Sequence, residues 1–296
     1  MAKCLLGFVF YFLCFTGSCF AYDIEPYLKQ SAPKSKNLLD LVFCPLNYQD
    51  RKRFLKDVDE LVQGLKKTRP FDEINAVGLW AVRISTDEEV VNFKPVRGFP
   101  PLKARRAFLN DISTRLNGKY KLIIIDAEGA VSCAELSSRD KLSLVILGRG
   151  KYGEKDSFVK GFLHELGHSL GLRDECLNCE ELCLPGKPNC AGTKKEAQNW
   201  WGDLVGKEES VNYISGCCGN KSHIRPTTSS LMNDADKALD FGPVNERYLR
   251  KVLADTKVIS PNNAVGKLLR HGNTDFFIHP LLHPPPSRGR ERVGGK

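Results

Sequence analysis

Apolar residues follow two different spacings along the first half of the chain, one typical of strands and one typical of helices. Short apolar runs bounded by polar residues predict buried strands at residues 37–44, 75–85, 120–127 and 142–148. Residues 48–67 instead carry apolar side chains at helical spacing, and residues 102–118 repeat that pattern. The order of elements is therefore strand, helix, strand, helix, strand, strand, which is typical of a mixed α/β unit.

A third helical pattern covers residues 157–172, with apolar residues at Phe158, Phe162, Leu163, Leu166 and Leu170. After Gly171 the chain becomes rich in cysteine, proline and glycine, with little periodicity until a last predicted helix at 244–255. Irregular sequence of this length stays compact only where metals or disulfides hold it. We therefore predict an α+β fold in which a mixed sheet packs against helices and the C-terminal half is loop-rich and disulfide-bonded.

The two ends of the chain differ in composition from the part between them. Up to Ala21 the only charged side chain is Lys3, and the apolar run that follows it is typical of a cleaved signal peptide. A secreted or periplasmic location follows; a lipoprotein anchor at Cys19 is a minor alternative, and no stable membrane insertion is expected. The predicted organisation is a signal peptide at 1–21, an N-terminal segment at 22–37, a domain at 38–258 with an upper part (38–172) and a cysteine-rich lower part (173–258), and a tail at 259–296.

Export also changes the interpretation of the eleven cysteines. Three lie in the signal segment, and eight remain at Cys44, Cys133, Cys176, Cys179, Cys183, Cys190, Cys217 and Cys218. In an oxidising compartment these eight can form up to four disulfides, whose connectivity the sequence does not determine. The spacing CLNCEELC at 176–183 leaves a structural zinc site as the alternative.

Much of the net charge of +9 lies at the C-terminus. From residue 265 onward, six basic and two acidic residues give a net charge of +4, in a sequence rich in proline, glycine and arginine. Such a composition does not form a packed core, so a solvated, disordered tail is predicted. We therefore expect no nucleic-acid partner, and we expect the protein to be a monomer.

The third helix contains the stretch HELGH, which has the spacing of a metal site. His164 and His168 are four residues apart, so their imidazoles project from one face of the helix, one turn apart. Two imidazoles at that spacing can bind one zinc ion, and Glu165 lies at the edge of the same site. A catalytic zinc site has three protein ligands and one open position, so a third ligand is required. The plain alternative is an amphipathic helix that carries two histidines by chance.

Asp174 is the candidate for the third ligand. It lies three residues after Gly171 in the extended pattern HExxHxxGxxD. The chain must reverse sharply at the end of the helix to bring residue 174 back over His168. Glycine accepts the positive φ that such a turn needs. Requiring both residue types at these positions makes a chance match much rarer than for HExxH alone. The neighbouring Glu175 would point the other way in an extended segment.

A methionine far from the motif completes a resemblance to a known class of enzymes. Met232 is the only methionine of the predicted mature chain and lies in the sequence SSLMND. The chain thus resembles the metzincin type of zinc metallopeptidase, in which a long HExxH motif ends in His or Asp and a methionine-containing turn underlies the site. Over residues 38–235 it is most similar to the secreted bacterial IgA-peptidase-like family. It departs from that family at Cys176, where an aromatic residue is expected.

This resemblance implies a metzincin-like zincin fold and a secreted zinc endopeptidase that acts on a protein or peptide. It implies zinc bound by His164, His168 and Asp174, with a methionine-containing turn at Met232. Glu165 would be the general base that accepts the proton of the attacking water and passes it to the leaving amine.

Several alternatives stay open at this point. A gluzincin-like peptidase would use a downstream glutamate, such as Glu196 or Glu209, in place of the aspartate. A non-catalytic binding protein would keep a zinc-stabilised loop, although the glutamate of the HExxH motif would then have no use. Tyr213 and His223 are candidates for stabilising an oxyanion, and either would equally suit a structural role.

Overall fold

The computed structural model describes residues 22–26, 39–73, 77–84, 120–129, 132–134, 143–151, 155–177, 184–235 and 237–254. Three sequence predictions lie outside these ranges: the signal peptide, the helix at 102–118 and the C-terminal tail. Cys179 and Cys183 also lie outside them. The fold is described below for the remaining parts of the chain.

A six-stranded mixed sheet forms the core of the upper part within the described residues. In chain order its strands are β1 (Tyr22–Pro26), β2 (Leu39–Leu46), β3 (Val77–Ile84), β4 (Tyr120–Asp126), β5 (Cys133–Ala134) and β6 (Ser143–Gly148). Their spatial order is β1-β3-β2-β4-β6-β5. The four inner strands are parallel, and the two edge strands pair antiparallel to their neighbours. This mixed sheet confirms the predicted fold class.

Strands β2, β4 and β6 are apolar at nearly every position because both of their faces are buried. Phe43 and Ile123 lie in the core that the sheet shares with the helices. Val42 and Leu122 alternate with them toward the opposite face, and they are at most 1% exposed. Parallel strands buried on both faces have continuous apolar sequences rather than alternating ones. This explains runs such as YKLIIID.

Two helices cover one face of the sheet and position the motif. Helix α1 (Arg51–Leu65) begins at the N-cap Asp50, whose side chain accepts a hydrogen bond from the backbone N–H of Lys52 at 2.8 Å. Helix α2 (Lys155–Ser169) carries HELGH and packs against α1. The side chain of Val159 occupies the space that a Cβ at Gly64 would need, so the two helix backbones approach closely there. The sequence predicted both helices.

The lower part is more regular than its sequence predicted. It contains helix α3 (Lys194–Trp201), an antiparallel hairpin of β7 (Ile214–Cys217) and β8 (Asn220–Arg225), and helix α4 (Pro243–Ala254). Only α4 was predicted. Helix α3 is eight residues long, too short for a clear apolar period, and the hairpin strands are short and rich in polar residues, glycine and cysteine. The edge strand β1 was not predicted either.

The cysteines divide between disulfides and buried thiols. Cys190 and Cys217 form a disulfide with each other, and Cys176 and Cys218 each take part in a disulfide. Bonding at Cys176 excludes it from the CxxC zinc site that was the alternative. Cys44 and Cys133 are instead buried thiols in the sheet. Because Cys44 and Cys133 are thiols, at most three of the four possible disulfides can form, and the sequence does not reveal that these two cysteines are buried.

No helix among the described residues is both long and apolar enough to cross a membrane.

Candidate metal centre

Helix α2 brings the two motif histidines together as the sequence predicted. Their rings are 4.7 Å apart between centroids and nearly perpendicular, at 89°. The Nε2 atom of His168 lies 3.1 Å from the Nε2 atom of His164. Both residues are buried, at 4% and 5% exposure. The imidazoles therefore direct the same ring atom toward one point.

Gly171 ends the helix with a turn that reverses the chain. Its φ is 102°, a left-handed conformation that glycine adopts without steric cost. The N–H of Leu172 donates to the carbonyl of Gly167 at 3.0 Å, and the N–H of Gly171 donates to that of His168 at 2.9 Å. This pair of bonds is a Schellman motif. It directs the following residues back along α2.

The reversal brings Asp174 to the two histidines. Its Oδ1 atom lies 3.4 Å from His164 Nε2 and 3.3 Å from His168 Nε2. The three residues form a group whose ligand atoms all lie within 4.8 Å of one another. In a tetrahedral zinc site, ligand atoms 2.0–2.2 Å from the metal are roughly 3.3–3.6 Å apart. The measured separations match that geometry to within a few tenths of an ångström.

The other ring nitrogens of both histidines are occupied by backbone carbonyls. His164 Nδ1 is 2.7 Å from the carbonyl oxygen of Leu231, and His168 Nδ1 is 3.0 Å from that of Leu172. A carbonyl only accepts, so each Nδ1 carries the proton, and in the neutral ring Nε2 keeps its lone pair. Zinc-binding histidines have this arrangement, which fixes the tautomer and the ring orientation. The donor set therefore fits a zinc ion.

The charges around the three ligand residues favour a cation at this site. Burial by itself would lower the pKa of His168, but the nearby charges of Asp174 and Glu165 and its hydrogen bonds raise it to about 9. Burial would raise the pKa of Asp174, but the two histidines hold it well below its usual range. The aspartate is thus ionised, and a metal cation bound at these atoms would replace the proton on His168.

Glu165 follows His164 directly in the motif and is buried. The residue is 1% exposed, and its charge helps to raise the pKa of His168. A buried carboxylate beside three potential ligands is a poor solution for a purely structural site, because burying it costs free energy without providing a ligand.

Met232 lies directly beneath the motif helix. It is fully buried, and a Cβ at Gly167 would be 2.7 Å from its sulfur atom. The preceding residue, Leu231, provides the carbonyl that contacts His164. The turn around Met232 therefore supports both the backbone of α2 and the orientation of one imidazole.

The acidic residues that were alternative ligands have other hydrogen-bond partners or are exposed. Glu196 is the N3 residue of a capping box at the start of α3, where its carboxylate accepts the N–H of Thr193 at 3.0 Å. Glu209 is exposed. Glu175 is fully buried and accepts hydrogen bonds at both oxygens. Burial raises the pKa of Glu175, although its hydrogen-bond donors oppose that shift.

The two candidates for oxyanion stabilisation lie in other clusters of the lower part. Tyr213 packs with Trp201, at 6.5 Å between ring centroids. His223 lies on β8 close to the sulfur atoms of Cys190 and Cys217. That second group of potential ligands is held by the disulfide, which removes both thiolates from metal binding. The structural interpretation of Tyr213 and His223 therefore accounts for their contacts.

Sequence reasoning missed the groups that orient the ligands. The carbonyls of Leu172 and Leu231 carry no side-chain signature, so no motif reveals them. The hydrogen-bond donors around Glu175 come from distant segments and were not recognised either. The only available signal was the unusual adjacency of two acidic residues, Asp174 and Glu175, after the glycine turn.

Comparisons with known proteins do not show a family for this chain. No protein-family model matches the chain, and no curated protein is significantly similar to it. Among solved structures, archaemetzincin from Methanopyrus kandleri aligns with 75% of this chain and 99% of its own, at 15% identity and a TM-score of 0.37. These results do not support the resemblance to the IgA-peptidase-like family.

Proposed function

We propose that the protein is a zinc-dependent endopeptidase. The observation that carries the proposal is the convergence of His164 Nε2, His168 Nε2 and Asp174 Oδ1, at separations of 3.1–3.4 Å, with both Nδ1 atoms on carbonyl oxygens. Three protein ligands with a glutamate beside them are typical of catalytic rather than structural zinc sites.

His164, His168 and Asp174 would hold the zinc ion. When bound, zinc would supply a Lewis acid that polarises the scissile carbonyl and acidifies a water molecule. An aspartate among the ligands gives the centre a lower net positive charge than three histidines would, which weakens that Lewis acidity slightly. The contacts of both Nδ1 atoms would keep the imidazoles oriented through the reaction.

Glu165 would act as the general base. Its buried carboxylate would take a proton from the attacking water and later deliver it to the leaving amine. The reaction would hydrolyse a peptide bond without a covalent intermediate.

The substrate would be a protein or peptide, and the enzyme would act outside the cytoplasm as a secreted or periplasmic monomer. The Cys190–Cys217 disulfide supports export, because disulfides persist in oxidising compartments. We expect no nucleic-acid partner. We assign the enzyme to the metzincin type because of the extended motif and the turn at Met232. Its assignment to the IgA-peptidase-like family within that type is supported by the sequence resemblance alone.

A Glu165→Gln substitution separates an enzyme from a zinc-stabilised binding protein. Glutamine keeps the shape of the side chain but does not accept the proton, so casein cleavage should fall by roughly 10²–10⁴-fold while zinc stays bound. Cleavage is followed by peptide release, and zinc by metal analysis of the same samples. Glu196, at the exposed cap of α3, provides a matched control, since Glu196→Gln should leave casein cleavage and zinc content unchanged.

A wild-type protein that binds zinc but shows no chelator-sensitive cleavage would favour the binding protein. Loss of zinc in Glu196→Gln would favour the gluzincin-like alternative.

A further inference from the structure

Glu175, the residue after the proposed aspartate ligand, is surrounded by hydrogen-bond donors. Its Oε1 accepts from the side-chain amides of Asn189 at 2.9 Å and Asn245 at 2.8 Å. Its Oε2 accepts from the hydroxyl of Ser230 at 2.6 Å, and the hydroxyl of Thr227 lies 3.5 Å away. The carboxylate is fully buried. It therefore connects three separate segments of the lower part: the loop before α3, the turn before Met232 and helix α4.

The backbone of Glu175 is fixed as well. Its N–H donates to the carbonyl of Met232 at 2.7 Å, and its own carbonyl accepts from the guanidinium of Arg225 at 2.6 Å. The preceding carbonyl, that of Asp174, accepts the N–H of Cys218 at 3.1 Å. The peptide that carries the proposed ligand is thus held on both sides.

The same contacts reach one of the histidines. Ser230, which donates to the Glu175 carboxylate, immediately precedes Leu231, whose carbonyl lies 2.7 Å from His164 Nδ1. Fixing this turn against Glu175 therefore fixes the carbonyl that orients one imidazole, while the backbone bonds of Glu175 fix the adjacent aspartate.

We propose that Glu175 is a positioning residue that holds Asp174 and the turn at Ser230–Met232 in the geometry required for metal binding. The inference rests on the proposed zinc site. Glu175 does not itself bind the metal, because both of its oxygens already accept hydrogen bonds from protein side chains. Its effect is transmitted to His164 and Asp174 through the backbone and the hydroxyl of Ser230.

A buried carboxylate is a strong way to fix three segments because its donors are costly to leave unpaired. Replacing Glu175 with methionine keeps the approximate volume but leaves one N–H of each amide, Asn189 and Asn245, and the hydroxyl of Ser230 without an acceptor; the other N–H of each amide still donates to a backbone carbonyl. Replacing it with glutamine keeps one acceptor oxygen, and the amide group can donate to a hydroxyl. Methionine should therefore perturb the site more than glutamine does.

The test is the zinc affinity of the folded full-length mature chain, measured by competition with a chromogenic chelator. Loss of a group that orients metal ligands typically lowers affinity 10–100-fold, and Glu175→Met should fall in that range, with a smaller loss for Glu175→Gln. Circular dichroism at the assay temperature verifies that each variant is folded. Glu196→Met removes another hydrogen-bonded glutamate, at the exposed cap of α3, and should leave the affinity within about twofold of wild type.

Ser230→Ala provides a second variant if Glu175→Met does not fold. It removes the donor at 2.6 Å while leaving Glu175 intact, so zinc affinity should again fall more than it does for Glu196→Met. Folded variants at Glu175 and Ser230 that bind zinc as tightly as wild type would overturn the positioning role. A wild-type chain that binds no zinc would overturn the proposed function itself, so the two failures are distinguishable.

Discussion

At the residue scale, the glycine between the two histidines is required by a neighbour that is distant in sequence. A Cβ at Gly167 would lie 2.7 Å from the sulfur atom of Met232 and 3.1 Å from a ring carbon of Phe241. Glycine lowers helix stability by up to about 1 kcal/mol relative to alanine, so its presence in mid-helix needs a packing reason. The sequence predicted close backbone packing at the glycines of this helix; at Gly167 it is side chains, those of Met232 and Phe241, that lie against the helix backbone.

Gly167→Ala should therefore destabilise the protein despite the better helix propensity of alanine. Forcing a methyl group against Met232 should cost about 1–3 kcal/mol in the free energy of unfolding, measured by urea titration. The cost should shrink when Met232 is also changed to alanine, because the sulfur atom is then absent. Equal costs in the two backgrounds, or a stabilised Gly167→Ala protein, would contradict the packing described here.

At the element scale, sequence was sufficient where the apolar pattern was long and local. The predicted helices are α1, α2 and α4, and each buries one apolar face. The predicted strands β2, β4 and β6 are buried on both faces and have continuous apolar sequences. The two-residue strand β5 and the hairpin strands β7 and β8 were not, since short strands have no measurable period. The capping box at Thr193 and Glu196 was visible in the sequence and could have revealed α3. Strand order in the sheet depends on non-local pairing, which no local pattern encodes.

At the scale of the whole molecule, the candidate site joins segments that are far apart in sequence. The motif residues were predictable because helical spacing and the glycine turn are local rules. The supporting contacts were not, because they come from Leu231, Asn189 and Asn245 on separate segments. The Cys190–Cys217 disulfide joins the segment after Asn189 to strand β7, with a separation of 27 residues. A cross-link of that length typically contributes about 2–4 kcal/mol to stability.

The cysteine pattern of the whole chain gives a direct test of the described fold. In the folded protein, an alkylating agent should not label Cys44 or Cys133, because both are buried and burial raises the pKa of Cys44 to about 12. In urea without a reductant, peptide mapping should find label on these two cysteines but not on Cys190 or Cys217. Label on Cys190 or Cys217 before reduction, or its absence from Cys44 and Cys133 in urea, would contradict this assignment.

The central claim is that His164, His168 and Asp174 bind zinc, and zinc content measured across matched variants tests it most directly. The purified protein should contain about one zinc per molecule, as expected for a single three-ligand site. Asp174→Ala should lose it, because the variant removes a negatively charged ligand from a buried site, whereas Glu196→Ala should retain it. A wild-type chain without zinc, or an Asp174→Ala chain that keeps zinc while Glu196→Ala loses it, would contradict the account.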